Sequence, residues 1–325
     1  MARLALCVIV LATAAHGQPA LPQPAKEGEQ IKASFVDDRV TVEMPAPNGR
    51  LPIRLFTDSG GGSLLLSQDA AKRLDLALRP ETDPDTLAEL GPDTKSADAT
   101  AFVKQSWPAL PAQAGFVVMP TVIPMAGWPP IGDGILGNAW FGGHTWTWDY
   151  PHRQLILRPA HWRPPALATP LEVAFKTDAD GKRAVDFARV TVRIDGEYLP
   201  VLFDTGASTI LTPQALGALS DGRPALRATS MMAHSVVEGW RRRHPDWRVI
   251  EDAQVGTHAL MILVPSVEIA GRRTGPVWIT ERSDKSYHEF MSSMMSGRVE
   301  GAIGGNVLHG LAVTLDYPDA KAWVE

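Results

Sequence analysis

Cysteine is almost missing from this chain: of 325 residues one is a cysteine, Cys7, and it lies in an apolar run at the amino end. One cysteine cannot close an intramolecular disulfide, and removal of that run would leave no thiol for nucleophilic or metal chemistry. The 9 histidines are scattered without H-E-x-x-H or any paired spacing, so no metal site is expected. No G-x-S-x-G elbow is present, which argues against a serine hydrolase of that type. Gly132-Asp133-Gly134-Ile135-Leu136-Gly137 has the spelling of a dinucleotide loop. However, Trp128-Pro129-Pro130 precedes it where a strand is needed, and Gly142-Gly143 interrupts the helix that should follow. No cofactor is expected. The net charge of -5 implies neither nucleic acid nor an anionic membrane surface as a partner. The run Trp240-Arg241-Arg242-Arg243-His244 reads as a solvated face, and Met291, Met294 and Met295 as apolar packing.

What is present at the amino end reads as a targeting segment. Arg3 precedes an apolar run from Leu4 to Ala15, with small residues at Ala12/Ala14 or Ala15/Gly17 as cleavage sites. The run is too short to span a bilayer comfortably. Residues 1–17 are expected to be a secretory signal peptide and residues 18–30 a flexible leader. The mature chain is then exported, to a periplasm or outside the cell, without an integral membrane segment. Its 45% hydrophobic content and length suit about two domains, and Gly 28 with Pro 27 favours short strands and many turns.

The chain repeats itself. Leu51-Pro52-Ile53-Arg54-Leu55-Phe56-Thr57-Asp58-Ser59-Gly60 recurs as Leu199-Pro200-Val201-Leu202-Phe203-Asp204-Thr205-Gly206, each an apolar strand ending in Asp-hydroxyl-Gly. Arg39-Val40-Thr41-Val42 recurs as Arg189-Val190-Thr191-Val192, and the turn signals Asn48-Gly49 and Asp195-Gly196 join each pair of strands into a hairpin. Short helices are expected after each Asp, with Ser67 and Thr212 as N-caps and Pro213 in the first turn. Each half closes on a Gly-apolar-apolar-Gly segment, 134–137 and 301–304, followed at the same 12-residue spacing by Asp149-Tyr150-Pro151 and Asp316-Tyr317-Pro318.

Phe203-Asp204-Thr205-Gly206-Ala207-Ser208 closely resembles the D-T/S-G-A/S motif of the pepsin/retropepsin-like aspartic proteases, and the resemblance extends over nearly the whole mature chain. It implies a mainly β, duplicated two-lobe acid-protease fold with a few short helices. Its lobes would span residues 31–158 and 171–325, joined by a Pro-rich linker at 159–170. It implies an aspartic endopeptidase in which Asp58 and Asp204 activate water against a peptide carbonyl. Ser59 and Thr205 would bond across the lobes, and Gly60 and Gly206 would let backbone amides approach the carboxylates, with Ser208 supporting the second loop. Ile135-Leu136-Gly137 and Ala302-Ile303-Gly304 match the family segments that cross behind these loops. A covering flap is expected within residues 99–118; Trp107 is its candidate cap, although packing is the better account of that residue. Arg227 to Thr257 exceeds a simple copy and could shape the substrate groove. With both lobes in one chain, a monomer suffices for a complete site.

The first copy departs from the motif. It continues as Gly61-Gly62-Ser63, so Gly62 stands where the second copy has Ser208, and Pro52 precedes its Asp by 6 positions where Pro200 precedes Asp204 by 4. The alternative reading is therefore an exported, noncatalytic peptide- or protein-binding module with a degenerate first-lobe site.

Overall fold

The computed structural model describes residues 28–62, 64–97, 116–119 and 132–325. The expected signal peptide, most of the expected leader, and Trp107 lie outside these residues, so their assignments stay with the sequence.

Each repeat builds a sheet around the same three strands. In the first lobe Arg39–Met44 pairs antiparallel with Ile53–Thr57, which pairs parallel with Gly134–Leu136. In the second, Arg189–Ile194 pairs with Glu197–Phe203, which pairs parallel with Gly301–Ile303. Alternation drives this: Val40, Val42 and Met44 point into the core while Arg39, Thr41 and Glu43 are half-buried. The second hairpin closes on Asp195 and Gly196 at φ 52° and 80°, the left-handed pair that a two-residue turn requires. The first carries Asn48 at φ 58° within the short 3-10 turn Pro47–Gly49.

Helices follow as the residues demand. Ser67 Oγ accepts from Ala70 N–H to cap Gln68–Arg73, and Thr212 Oγ1 accepts from Ala215 N–H to cap Pro213–Leu219, where proline needs no donor. The lobes diverge before these caps. Leu64–Ser67 runs antiparallel to Gly134–Leu136, whereas Ser208–Ile210 pairs with Leu226–Ala228 and leaves Ser230–Ala233 to pair with Gly301–Ile303. Much of 227–257 is thus framework: it contains that strand and the helix His234–Arg243, whose Val237 and Trp240 are buried.

A six-stranded sheet joins the lobes, each contributing three strands in mirrored order: Glu29–Ile31, Gln154–Arg158 and Thr145–Asp149, then Ala312–Asp316, Lys321–Val324 and Thr169–Leu171. At its centre Thr147 opposes Thr314 with their hydroxyls 2.6 Å apart. Glu29 and Gln30 therefore belong to a strand that begins inside the expected leader, and Thr169 and Pro170 to one that begins inside the expected linker; backbone pairing with Leu157, Ile156, Val324 and Trp323 orders both.

Above this sheet Phe141 is fully buried among Trp140, Trp146 and Trp148, with ring centroids 4.8, 5.5 and 5.0 Å away. Trp148 in turn meets Phe203, the residue before Asp204, at 5.3 Å. Phe141→Ala is expected to cost about 3–5 kcal/mol, read as a lower urea midpoint.

Candidate functional site

Both Asp-hydroxyl-Gly segments leave their strands at the same place, between the lobes. Asp58 N–H donates to the Leu136 carbonyl at 2.9 Å and Asp204 N–H to the Ile303 carbonyl at 3.0 Å, so each segment behind the loop pins its aspartate. The loops then grip each other. Ser59 Oγ donates to the Phe203 carbonyl at 2.9 Å and accepts from Thr205 N–H at 3.0 Å, while Ser59 N–H donates to Thr205 Oγ1 at 3.2 Å. Both hydroxyl residues are buried, where such bonds are costly to leave unmade. Gly60 and Gly206 pack reciprocally: a side-chain carbon on Gly60 would overlap the Asp204 carboxyl, and one on Gly206 the Asp58 carboxyl. Each glycine N–H also donates to its own loop's aspartate, at 3.0 and 2.9 Å. Each carboxyl is thus seated against the opposite loop's glycine, which brings the two face to face.

The architecture is mainly β, with two like lobes joined by one six-stranded sheet. No family model and no curated protein sequence matches the chain. Among solved structures it is similar to basic 7S globulin from soybean, at 10% identity over 92% of this chain and 96% of that one, with a TM-score of 0.47.

Between the lobes each of the two carboxyls shifts the other's hold on its proton. Burial pushes Asp58 above the usual carboxylate range, against the hydrogen bond from Asp204, the Gly60 and Gly61 amides and the Arg39 cation, which favour its charge. Burial and then the Asp58 charge push Asp204 well above that range, opposed by the Gly206 and Ala207 amides. Such a pair can hold one carboxylate to take a proton from water and one acid to give a proton to a carbonyl.

Because Asp204 holds its proton more tightly folded than unfolded, its contribution to stability is fully present below the ordinary aspartate value and is lost as pH rises toward the folded one. Asp204→Asn is expected to remove that decline, so the melting temperature of the variant should gain on wild type as pH rises from 4 through 6. An unchanged difference across the series would contradict the assignment.

Of the residues singled out in the sequence, Asp58, Ser59, Gly60, Asp204, Thr205 and Gly206 meet at this point. Ser208 lies beside it: its Oγ donates to the Gly206 carbonyl at 2.8 Å and accepts from Arg39 Nε at 3.0 Å. Arg39 was not recognised from the sequence as part of the site. Its signal was the repeated Arg that opens each strand, but only pairing register shows which of the two arginines reaches a loop.

Elsewhere, His234, Glu238 and Glu281 bring three ligand atoms within 4.8 Å of one another, a grouping that histidine spacing alone could not reveal. Glu238 is already paired to Arg241 at 2.9 Å, and His234 lies 3.2 Å from Glu281. The basic run is a paired surface face: Arg241 meets Glu238 and Glu251, while Arg243 and His244 meet Asp195. Met295 is buried, with Met291 and Met294 packed around its cluster. No helix among the described residues is long and apolar enough to cross a membrane.

Proposed function

We propose that the protein is an exported aspartic endopeptidase that hydrolyses peptide bonds in the cleft between its lobes. The observation that carries this reading is the reciprocal seating of Gly60 on the Asp204 carboxyl and Gly206 on the Asp58 carboxyl. Glycine at both places lets two carboxyls approach closely, a juxtaposition with a high electrostatic cost in a merely structural turn. One carboxyl, ionised, withdraws a proton from a bound water; the other, protonated, donates to the carbonyl oxygen of the scissile bond as the water adds. The resulting tetrahedral species collapses by proton transfer to the leaving amine. A peptide or protein is the substrate, and one chain supplies both acids. Neither metal nor covalent intermediate is required by this scheme.

The test is cleavage of denatured protein and a diverse peptide library by the chain lacking residues 1–17, across an acidic to neutral pH series, with and without a statine-type transition-state mimic. Mimic-sensitive cleavage supports the reading. Peptide binding with no cleavage at any pH would replace it by the binding-module alternative.

A further inference from the structure

The two Asp-bearing strands are registered differently against their hairpin partners, and this places unlike side chains across from the two carboxyls. In the first lobe Thr41 opposes Phe56, and Thr57 Oγ1 donates to the Val40 carbonyl at 3.0 Å. One step further along, Arg39 stands across from Asp58. In the second lobe Arg189 opposes Leu202, and Phe203 N–H donates to the Ala188 carbonyl at 2.9 Å. The place across from Asp204 therefore falls to Phe187. Arg39 and Arg189 match in sequence but not in space: Arg189 turns outward to the Arg298 carbonyl at 3.3 Å.

Arg39 and Phe187 then reach opposite loops at equivalent positions. Arg39 Nε donates to Ser208 Oγ, with its guanidinium 4.2 Å from the centre of the Phe56 ring. Phe187, buried with Leu202, Tyr287 and Ala302, lies 3.8 Å from where a side chain on Gly62 would begin. A polar contact on one side of the pseudo-two-fold axis is thus replaced by an apolar one on the other, and Gly62 becomes the counterpart of a phenyl ring.

We propose that Arg39 is a positioning residue of the dyad, clamping the Asp204 loop through Ser208 and setting its cation beside Asp58, so that Asp58 is the ionised partner and Asp204 the acid. This rests on the aspartic-peptidase reading for its catalytic consequence, though not for the order of ionisation. Burial lowers Arg39 to about 10, which leaves it charged throughout the acidic and neutral range. Asp37 and Asp58 are the anions that favour its charge. Arg223 pairs with Asp37 and Asp38 at 3.2 and 3.0 Å, and His309 stands 3.7 Å from Asp38. The Asp204 charge acts on the buried Tyr150 and Tyr287 hydroxyls, the second of which also senses Arg282. Apart from its dyad partner, the groups acting on Asp58 are therefore backbone amides and Arg39.

The experiment follows aspartate carboxyl 13C shifts against pH in the full chain: wild type, Arg39→Ala, Arg39→Lys and Ser208→Ala, with Asp58→Asn and Asp204→Asn supplying the assignments. Asp58 is expected to ionise first in wild type. Arg39→Ala should raise that step by about one pH unit, and Arg39→Lys should restore most of the shift. Ser208→Ala, which removes the acceptor of the Arg39 Nε bond, should move the step the same way by less, since the cation remains. In peptide cleavage, Arg39→Ala should move the acid limb of kcat upward by the same amount and lower kcat about tenfold at the acid end, with KM little changed. First ionisation at Asp204, or an unmoved Asp58 step in Arg39→Ala, overturns the proposal. Should Arg39→Ala not fold, Arg39→Gln replaces it. Wild-type cleavage that survives Asp58→Asn and Asp204→Asn would instead sink the peptidase reading while the titration still decides the role of Arg39.

Discussion

Asp204→Asn, and separately Asp58→Asn, is expected to lower kcat for peptide cleavage by about 10²–10⁴-fold. An amide at 204 can neither carry the shared proton to the substrate nor respond to the charge of Asp58. An amide at 58 cannot take a proton from water. Either change also dismantles a pair held in place by both halves of the chain, so neither single variant should keep half of the activity. The variants should remain folded, because asparagine retains an oxygen to accept from the Gly60 or Gly206 amide, bonds of 3.0 and 2.9 Å in the native loops. Initial rates on one peptide, normalised to protein that passes a circular-dichroism check, measure the effect. Retention of more than roughly a tenth of wild-type kcat by either variant would rule out a dyad mechanism.

The second large effect is expected from adding one carbon. In Gly206→Ala the new methyl would occupy the space of the Asp58 carboxyl, so either the carboxyl or the loop must shift. The loop is held by the Thr205 amide bond to Ser59 and the Gly206 amide bond to Asp204, which leaves the Asp58 side chain to give way. A displacement near 1 Å is enough to cost about 100-fold in kcat/KM, and the overpacking should cost about 1–3 kcal/mol in stability. Gly217→Ala is the matched control. It lies in the helix Pro213–Leu219 with open space where the methyl would go, and should stabilise the protein by about 0.4–1 kcal/mol. Equal activity losses in both variants would mean that glycine at 206 has no special relation to the dyad.

Much of this organisation was legible before any coordinates, because it resides in local pattern. Alternation in Arg39-Val40-Thr41-Val42 and its copy specifies half-buried strands; Asp195-Gly196 specifies a tight turn; Ser67 and Thr212 announce helix starts. Repetition does the rest. Two Asp-hydroxyl-Gly segments, each followed by a Gly-apolar-apolar-Gly segment, imply two like lobes, and the strand pairs Phe56 with Ile135 and Phe203 with Ile303 bear out that order. The candidate dyad and its two hydroxyl partners were nameable for the same reason.

What lay outside the reach of the sequence is everything that depends on register between distant strands. Aligning the two copies puts Arg39 with Arg189 and Ser208 with Gly62, and suggests only a missing hydroxyl. Yet Arg39 lies 19 positions before Asp58 and Arg189 only 15 before Asp204, and Thr41 takes the place opposite Phe56 that Arg189 takes opposite Leu202; this two-residue offset keeps each side chain on its face while moving it about 6–7 Å along the sheet. That offset carries Arg39 up to Asp58, leaves Arg189 at the rim, and brings Phe187 to the corresponding place in the second lobe. The sequence by itself determined two like β lobes and a candidate acid in each of two matched loops; tertiary structure alone decided that unlike side chains, Arg39 and Phe187, stand across from those acids, because register is set through space and does not follow alignment along the chain.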